Sequence, residues 1–317
     1  MRRRIPALLC LVLLLLLGAA AAEEPYFAPA PALACKPGQT VRLGVARLRS
    51  APDGQLTVET AGGKTATSVS PGRGGTVYIP LRIEKDLAES QVLEVWFTHD
   101  GKRELQGTCL LAVDDDVPAV KSGPAGGMRI AVTFDAAIGV GRLEDLLDLL
   151  DRYGIRCTFF IQGTFAERHP EETRMIAARG HELANHTMNH PSMPDCDDAK
   201  ILREIAGCNQ AIEAVTGRPV RLYRPPGGYH TWRDRSIARA LGCEVVNWTF
   251  DSMDGFPSST RLTVRNTMYR NTAPGAIILM HVYGTHTLSV LEEYIPDMQA
   301  LGYTFVTVGE LLGTGED

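Results

Sequence analysis

The chain has 317 residues, of which 44% are hydrophobic and 22% are charged, with a formal net charge of -5. This is the composition of an ordinary globular protein, and the length leaves room for two domains. The mild negative charge gives no attraction for nucleic acid, and lysine and arginine cluster only at residues 2–4. Nucleic acid is therefore excluded as a partner.

The first 22 residues have the three parts of a secretory signal peptide. Three arginines precede an apolar run from Ile5 to Leu17, and small residues lead from there to Glu23. The pattern predicts export with cleavage after Ala22, and hence a secreted or cell-surface protein. The alternative is an uncleaved membrane anchor, because the apolar stretch up to Ala22 approaches the roughly 20 residues of a membrane span.

Export would allow disulfides among the cysteines that remain after cleavage. Cys196 and Cys208 flank about three turns of predicted helix, which holds their Cα atoms too far apart for a bond. Cys35 and Cys109 bracket the first predicted domain and are the one plausible pair. The sequence leaves open whether these two are bonded.

From about Leu33 to Asp116, short runs of alternating apolar and polar residues are separated by turn sequences. Alternation with a period of two is typical of strands, and Asp100-Gly101 between two such runs predicts a hairpin. We therefore predict a small, all-β, sandwich-like accessory domain over residues 23–120, followed by a linker, KSGPAGG, at 121–127. The accessory domain holds no cluster of acids, histidines or nucleophiles, so it is interpreted as a spacer or wall-binding module.

After Met128, apolar runs alternate with amphipathic segments. The seven predicted strands are RIAVTF, IRCTFFI, HELAN, VRLYR, CEVVNW, AIILM and YTFVTV. Most of the amphipathic segments between them end at a glycine, as helices commonly do. This order predicts an α/β domain over residues 128–317 with a parallel sheet and right-handed crossovers. Seven repeats favour barrel-like closure over an open sheet, although periodicity alone does not decide between them.

Polar residues directly follow most of these predicted strands. They are Asp135, His186 with His190, Arg224, Asp251 and His281. In parallel α/β barrels the carboxyl ends of the strands form one face, and catalytic residues collect there. A single histidine or Asp–Arg pair is usually structural, but five loops that bring such residues to one rim predict an active site.

These residues belong to five short motifs in a fixed order: TFDAA at 133–137, HTMNH at 186–190, RPPGG at 224–228, DSMDG at 251–255 and LMH at 279–281. Together they resemble the motifs of the polysaccharide deacetylase family, also called carbohydrate esterase family 4 or the NodB-homology domain. The resemblance covers roughly residues 128–313. It implies a distorted (β/α)7 barrel, a divalent metal that is often zinc, and hydrolysis of acetamide groups on amino sugars. Some members instead remove O-acetyl groups from xylan.

The resemblance also implies roles for individual residues. His186 and His190 would bind the metal, and Asp135 would be the general base that accepts a proton from the attacking water. Arg224 would keep Asp135 ionised and oriented.

On the opposite side of the reaction, His281 would be the general acid that protonates the departing amine. Asp251 would orient the protonated form of His281. The backbone N–H of Gly227 matches the position that shares the oxyanion with the metal, and Leu279 matches a residue that lines the acetyl pocket.

The sequence departs from the family pattern at two places. The usual motif TFDD supplies a third metal ligand through its second aspartate, and Ala136 stands at that position. This change predicts weaker metal binding, or a site completed by water or a substrate oxygen, although variants reading TFDA are familiar in the family. Gly227 and Gly255 replace a tyrosine and a tryptophan, so the pocket is expected to be wider or filled by Tyr229 and Phe256.

The sequence thus predicts a metal-dependent hydrolase that removes N-acetyl groups from a polysaccharide outside the cell. Peptidoglycan is the first choice because of the export signal and the accessory domain; chitin-like and exopolysaccharide substrates remain alternatives. The rival hypothesis is a catalytically impaired barrel that binds glycan, which Ala136 favours. Retention of Asp135, Arg224, Asp251 and His281 opposes that hypothesis. No stable protein partner is implied.

Overall fold

The computed structural model describes residues 25–60, 65–137 and 139–314, and these divide into two compact units. Unit 1 consists of the described residues up to Val117 with Cys196–Leu202 and His230–Gly242. Unit 2 consists of Pro118–Asp195, Arg203–Tyr229 and the described residues from Cys243 onward. The predicted signal peptide lies outside the described residues. Within them, no helix is both long enough and apolar enough to cross a membrane.

Before residue 114 the structure describes strands and no helices, which agrees with the predicted all-β region. The strands are β1 (Phe27–Pro29), β2 (Ala32–Cys35), β3 (Thr40–Arg47), β4 (Gln55–Thr60), β5 (Thr65–Val69), β6 (Thr76–Arg82), β7 (Gln91–His99) and β8 (Lys102–Val113). They form a three-stranded sheet of order β1-β3-β6 and a five-stranded sheet of order β2-β8-β7-β4-β5. Only the β2–β8 pair is parallel among these pairings.

The two sheets share one hydrophobic cluster. Leu43 and Ile79 from the first sheet and Leu56 and Phe97 from the second are fully buried in it. Burial at alternate positions is what the period-two sequence pattern predicts. The hairpin predicted at residues 100–101 is also confirmed, since His99 pairs with Lys102 and both turn residues have positive φ, 46° and 73°.

Cys35 and Cys109 are both buried free thiols. The pairing of Cys35 with Cys109, which the sequence left open, is therefore not formed. Burial raises the pKa of the Cys35 thiol to about 12. Both cysteines act as small apolar side chains of the sandwich core.

Unit 1 is completed by two segments from later in the chain. Asp198 accepts a hydrogen bond from the backbone N–H of Ala34 at 2.8 Å and forms an ion pair with Arg233 at 2.6 Å. Arg239 forms an ion pair with Asp115 at 2.9 Å. The division between the units therefore does not follow the order of the chain.

The second half of the chain carries the helices and the remaining strands. The strands are β9 (Arg129–Ala136), β10 (Thr158–Ile161), β11 (Glu182–Asn185), β12 (Leu222–Tyr223), β13 (Glu244–Val245), β14 (Phe250–Asp251), β15 (Ile277–His281) and β16 (Thr304–Phe305). The helices are α1 (Leu143–Arg152), α2 (Gly163–Arg168), α3 (Pro170–Ala178), α4 (Asp198–Thr216), α5 (Trp232–Ala240), α6 (Arg261–Asn271), α7 (Thr287–Ala300) and α8 (Val308–Leu312).

The predicted α/β fold with a parallel sheet is confirmed. All pairings in the eight-stranded sheet are parallel; its order is β13-β12-β11-β10-β9-β15-β14, and β16 pairs with β9. The expected count of seven strands missed β14. Within the described residues β13 and β14 end the sheet without pairing with each other, so the hydrogen-bonded ring is not closed.

Strand β9 lies near the centre of this sheet and separates two hydrophobic clusters. Ile130, Val132 and Phe134 pack in the cluster that includes helix residues such as Leu147. Ala131 packs in the other cluster, on the opposite face of the strand. Since residues alternate between faces, residues 133 and 135 share the face of Ala131. The carboxyl end of β9 therefore presents the side chain of residue 135 away from the helix-side core.

Candidate active site

The predicted base and the predicted acid lie side by side in the sheet. Asp135 on β9 and His281 on β15 are direct partners in the parallel register, and neighbouring strands are about 4.8 Å apart. Asp135 is 5% exposed, whereas His281 is half-buried. The fold thus brings together two groups that are far apart in the sequence.

Arg224, which follows β12, forms a buried ion pair with Asp135. Its Nη1 donates to Oδ1 of Asp135 at 2.7 Å and to the hydroxyl of Thr133 at 2.9 Å. The guanidinium is 0% exposed, and its carbon lies 3.7 Å from the ring centroid of Phe160. A buried arginine held from several sides fixes the orientation of the carboxylate that it contacts.

The ion pair with Arg224 keeps Asp135 ionised. Burial alone would raise the pKa of this carboxyl group, but the positive charges of His186 when it is protonated, of Arg224 and of His281 outweigh burial and lower the pKa. Arg224 is the constant contributor, because a guanidinium stays charged at every accessible pH. Asp135 can therefore accept a proton at neutral pH, as a general base must.

His186 follows β11 and turns one ring nitrogen toward Asp135. Its Nδ1 lies 3.0 Å from the carbonyl oxygen of Arg224, which can only accept, so Nδ1 carries the proton. Its Nε2 lies 3.4 Å from Oδ2 of Asp135. Burial lowers the pKa of His186 to about 4, so the neutral ring presents a lone pair to a carboxylate. His186 Nε2 and Asp135 Oδ2 are then two acceptors that face each other, and a cation between them would interact favourably with both.

His190 lies next to His186 in a tightly turned loop. The two ring centroids are 5.0 Å apart, and the His190 ring is exposed. Thr187 and His190 have positive φ, 65° and 61°, and the N–H of His190 donates to the Thr187 hydroxyl at 3.0 Å. Strained backbone of this kind is commonly found at functional sites. Here it brings the two imidazoles together, and His186 is the one that faces Asp135.

The donor chemistry fits a divalent cation but supplies an incomplete ligand set. His186 and His190 would hold the ion, with Asp135 beside them. Ala136 is 0% exposed and belongs to the helix-side cluster of β9, so position 136 supplies only a methyl group. Among the described residues, no three His, Cys, Asp or Glu side chains form a metal-binding group. A metal site usually has at least three protein ligands.

The partner of His281 is Asp254, and the expectation that it is Asp251 is wrong. Oδ1 of Asp254 lies 2.8 Å from Nδ1 of His281, and its Oδ2 accepts the backbone N–H of His281 at 2.9 Å. The Thr287 hydroxyl also donates to Oδ2, at 2.6 Å. Asp251 instead accepts the N–H of Met253 at 2.7 Å, and it acts on His281 only through its charge.

The carboxylates around His281 favour its protonated form. Burial lowers the pKa of His281, but the hydrogen bond and charge of Asp254, with the charges of Asp135 and Asp251, outweigh burial and raise the pKa. Because Nδ1 is held by Asp254, the free Nε2 is the atom that can donate a proton to a substrate. The site therefore holds a carboxylate with a lowered pKa beside an imidazole with a raised pKa.

Gly227 and Leu279, the two residues predicted to contact the acetyl group, belong to the same unit as these pairs. Gly227 lies in the 3₁₀ turn Pro226–Gly228 with φ of 60°. Leu279 is 3% exposed and lies two residues before His281 on β15, so both side chains share one face of the sheet. Their assigned roles stay predictions.

Sequence reasoning missed Asp254, Thr287 and Thr133. Asp254 had a signal, since DSMDG contains two aspartates and either could have faced His281. Thr133 also had one, since it shares a face of β9 with Asp135 two residues later. Thr287 carried none, because only the folded loop before α7 brings it to Asp254.

Comparison with known proteins identifies the family. The sequence pattern described as polysaccharide deacetylase matches residues 122–246. A peptidoglycan-N-acetylglucosamine deacetylase of Bacillus cereus is 34% identical over 188 residues, which are 58% of this chain and 87% of that protein. The chain belongs to the polysaccharide deacetylase family.

Two further relatives bear on substrate and activity. A peptidoglycan-N-acetylmuramic acid deacetylase of Bacillus subtilis is 27% identical over 58% of this chain and 71% of its own length. A crystal structure from Bacillus anthracis, described as a pseudoenzyme of carbohydrate esterase family 4, matches with a TM-score of 0.60 and 26% identity, over 62% of this chain and 69% of that one. The family thus includes both named deacetylases and a member described as a pseudoenzyme.

Proposed function

We propose that this chain is a metal-dependent hydrolase that removes N-acetyl groups from amino sugars of peptidoglycan. The family membership and the names of the bacterial relatives support the reaction and the polymer. The sequence pattern of residues 1–22 supports export, so the protein would act on the cell wall from the secreted or surface-bound state. Zinc is the proposed ion.

One observation carries the proposal: the acid and the base each have their own buried partner. Asp135 is paired with Arg224 at 2.7 Å, and His281 is paired with Asp254 at 2.8 Å. Glycan binding alone needs neither a carboxylate kept ionised nor an imidazole kept protonated. Two such groups on adjacent strands are what hydrolysis of an amide requires.

In the proposed mechanism, Asp135 accepts a proton from the water that attacks the acetyl carbonyl carbon. The N–H of Gly227 donates to the oxygen that becomes negative. Nε2 of His281 then gives a proton to the sugar nitrogen as the C–N bond breaks, so acetate and a free amine leave. A cation held by His186 and His190 would supply Lewis-acid polarisation of the carbonyl and the water when bound.

A glycan-binding role without catalysis is the second candidate. It is favoured by Ala136, which removes a ligand from the metal site, and by the structural similarity to a family member described as a pseudoenzyme. In this role the same rim would hold a sugar, and no acetate would be released.

Acetate release decides between the two candidates. Purified protein would be incubated with peptidoglycan and with N-acetylglucosamine oligomers, with added Zn²⁺ and with a chelator. We expect release that the chelator abolishes. Asp135→Asn should lower kcat/KM by at least about a hundredfold while glycan binding persists, because the amide cannot act as a base. Glycan binding without acetate release under any divalent metal would favour the second candidate.

A further inference from the structure

Exposed aromatic rings follow the groups of the site at a regular spacing. The pairs are Gly227 with Tyr229, Asp254 with Phe256, and His281 with Tyr283, each two residues apart. The three aromatic residues are 72%, 49% and 37% exposed, respectively. Large apolar side chains that stay exposed around a polar site mark a ligand surface. They are therefore candidates for contact with the sugar.

The ring of Tyr229 covers the backbone of Gly227. A Cβ atom added at Gly227 would lie 3.1 Å from Cδ2 and 3.2 Å from Cε2 of Tyr229. The ring thus fills the space that a side chain at position 227 would occupy. Since the N–H of Gly227 is the proposed donor to the acetyl oxygen, Tyr229 borders the acetyl end of a bound substrate.

The ring of Tyr283 lies beside the proposed acid. Its centroid is 5.0 Å from that of His281, with an angle of 45° between the planes. The backbone of Tyr283 is packed closely, because a Cβ added at Gly141 would lie 3.4 Å from its Cα atom. Tyr283 therefore borders the end of the substrate where the amine leaves.

Position 255 cannot provide a competing aromatic wall. A Cβ atom at Gly255 would lie 2.7 Å from Nδ1 of His281, so backbone alone fits against that ring. The contacts of Tyr229 with Gly227 and of Tyr283 with His281 place these two rings beside the reacting groups, one at the oxyanion donor and one at the acid.

We propose that Tyr229 and Tyr283 bind the apolar C–H faces of the pyranose rings at and next to the acetamide, and that they make the site specific for amino-sugar polymers over small acetyl compounds. Tyrosine suits this role because its ring is rigid, apolar on its faces and polar at its tip. This inference rests on the proposed function, since it concerns the substrate of the same site.

Binding is measured separately from catalysis. In the Asp135→Asn background, the affinity for an N-acetylglucosamine tetramer would be determined by calorimetry for Tyr229→Ala and Tyr283→Ala. We expect each to weaken binding by about five- to tenfold, the scale of one aromatic contact. Phenylalanine at either position should restore most of the affinity. Tyr78→Ala is the matched control, because Tyr78 on β6 is also exposed, at 64%.

Kinetics give the second readout. With Asp135 intact, both alanine variants should raise KM for the tetramer more than they lower kcat, and they should lower kcat/KM for the tetramer by a larger factor than kcat/KM for 4-nitrophenyl acetate. Unchanged affinity for the tetramer, or an equal loss with Tyr78→Ala, would overturn the inference. If wild-type protein releases no acetate but the tetramer still binds through the two tyrosines, the proposed function fails and the inference stands.

Discussion

Asp254 holds His281 at two points, through the imidazole Nδ1 at 2.8 Å and through the backbone N–H at 2.9 Å. Asp254 is 3% exposed, so its charge acts on the imidazole with little screening by water. Asp251, the other aspartate of the same motif, makes neither contact. The two aspartates are therefore a matched pair for testing which carboxylate supports the acid.

We expect Asp254→Asn to lower kcat/KM for amide hydrolysis by about a hundredfold or more. Asp254 raises the pKa of His281, and His281 can act as the acid only when it is protonated. Loss of the Asp254 charge should therefore move the basic limb of the pH profile to lower pH. Asp251→Asn should have a smaller effect on both rate and limb. Equal effects of the two variants would contradict the assignment to Asp254.

The fold was predictable to the extent that burial is periodic. In the second half of the chain, apolar residues at alternating or helical spacing indicated seven strands and the amphipathic segments between them. The eighth strand, β14, could not be found this way, because its two residues, Phe250 and Asp251, are too few to show a period. Closure of the sheet was also beyond periodicity, since it depends on pairing between strands distant in the chain.

The site was predictable where a residue lies at the carboxyl end of a strand, as Asp135 does, or directly after a strand, as His186 and Arg224 do. The partner of His281 was not, because a loop decides it. Asp251 accepts the N–H of Met253, and Met253 has φ of 72°. This left-handed turn redirects the chain, and the next residue, Asp254, reaches His281. Such a turn leaves no signal in a sequence that lacks glycine or asparagine at the turning position.

Two buried histidines should make the metal-free protein sensitive to mild acid. Burial lowers the pKa of His181 and of His186 from 6.5 to about 4. Between these two values the unfolded chain binds more protons than the folded chain. The stability that the neutral histidines contribute is therefore present above pH 6.5 and is lost as the pH falls toward 4. Each accounts for up to about 3 kcal/mol. His181, whose Nδ1 accepts the N–H of Cys157 at 3.2 Å, is outside the proposed chemistry.

Urea unfolding with a chelator, from pH 7 to pH 4, measures this contribution. We expect His181→Gln to flatten the dependence of the free energy of unfolding on pH, and His181→Gln with His186→Gln to flatten it further. A wild-type curve with the same slope as that of the double variant would show that these histidines titrate normally in the folded protein.

A carboxylate at position 136 should make the stability of the folded protein depend on bound metal. Ala136 is fully buried, and a charge placed there is costly unless it is paired. Ala136→Asp should therefore destabilise the protein in chelator, and added Zn²⁺ should recover more stability than it does in wild type. Ala136→Asn has the same size without the charge. Calorimetry should find tighter Zn²⁺ binding only for the aspartate; equal affinity in all three proteins would mean that position 136 does not reach the ion.

Gly255 tests how closely the acid must be positioned. A Cβ at this residue would lie 2.7 Å from Nδ1 and 2.8 Å from Cε1 of His281, well inside contact distance. Because Asp254 fixes His281 at two points, the ring can yield only by losing its hydrogen bond.

Gly255→Ala should therefore lower the rate of amide hydrolysis by up to about a hundredfold, the scale for a displacement of about 1 Å. Hydrolysis of an activated ester should suffer less, since a good leaving group needs no proton. Gly126→Ala is the control, because a Cβ there meets nothing within 4 Å. The two variants should have similar thermal midpoints, which separates misplacement of the acid from unfolding. Full amide activity in Gly255→Ala would mean that His281 moves freely, and that its contacts with Asp254 do not fix the geometry of proton transfer.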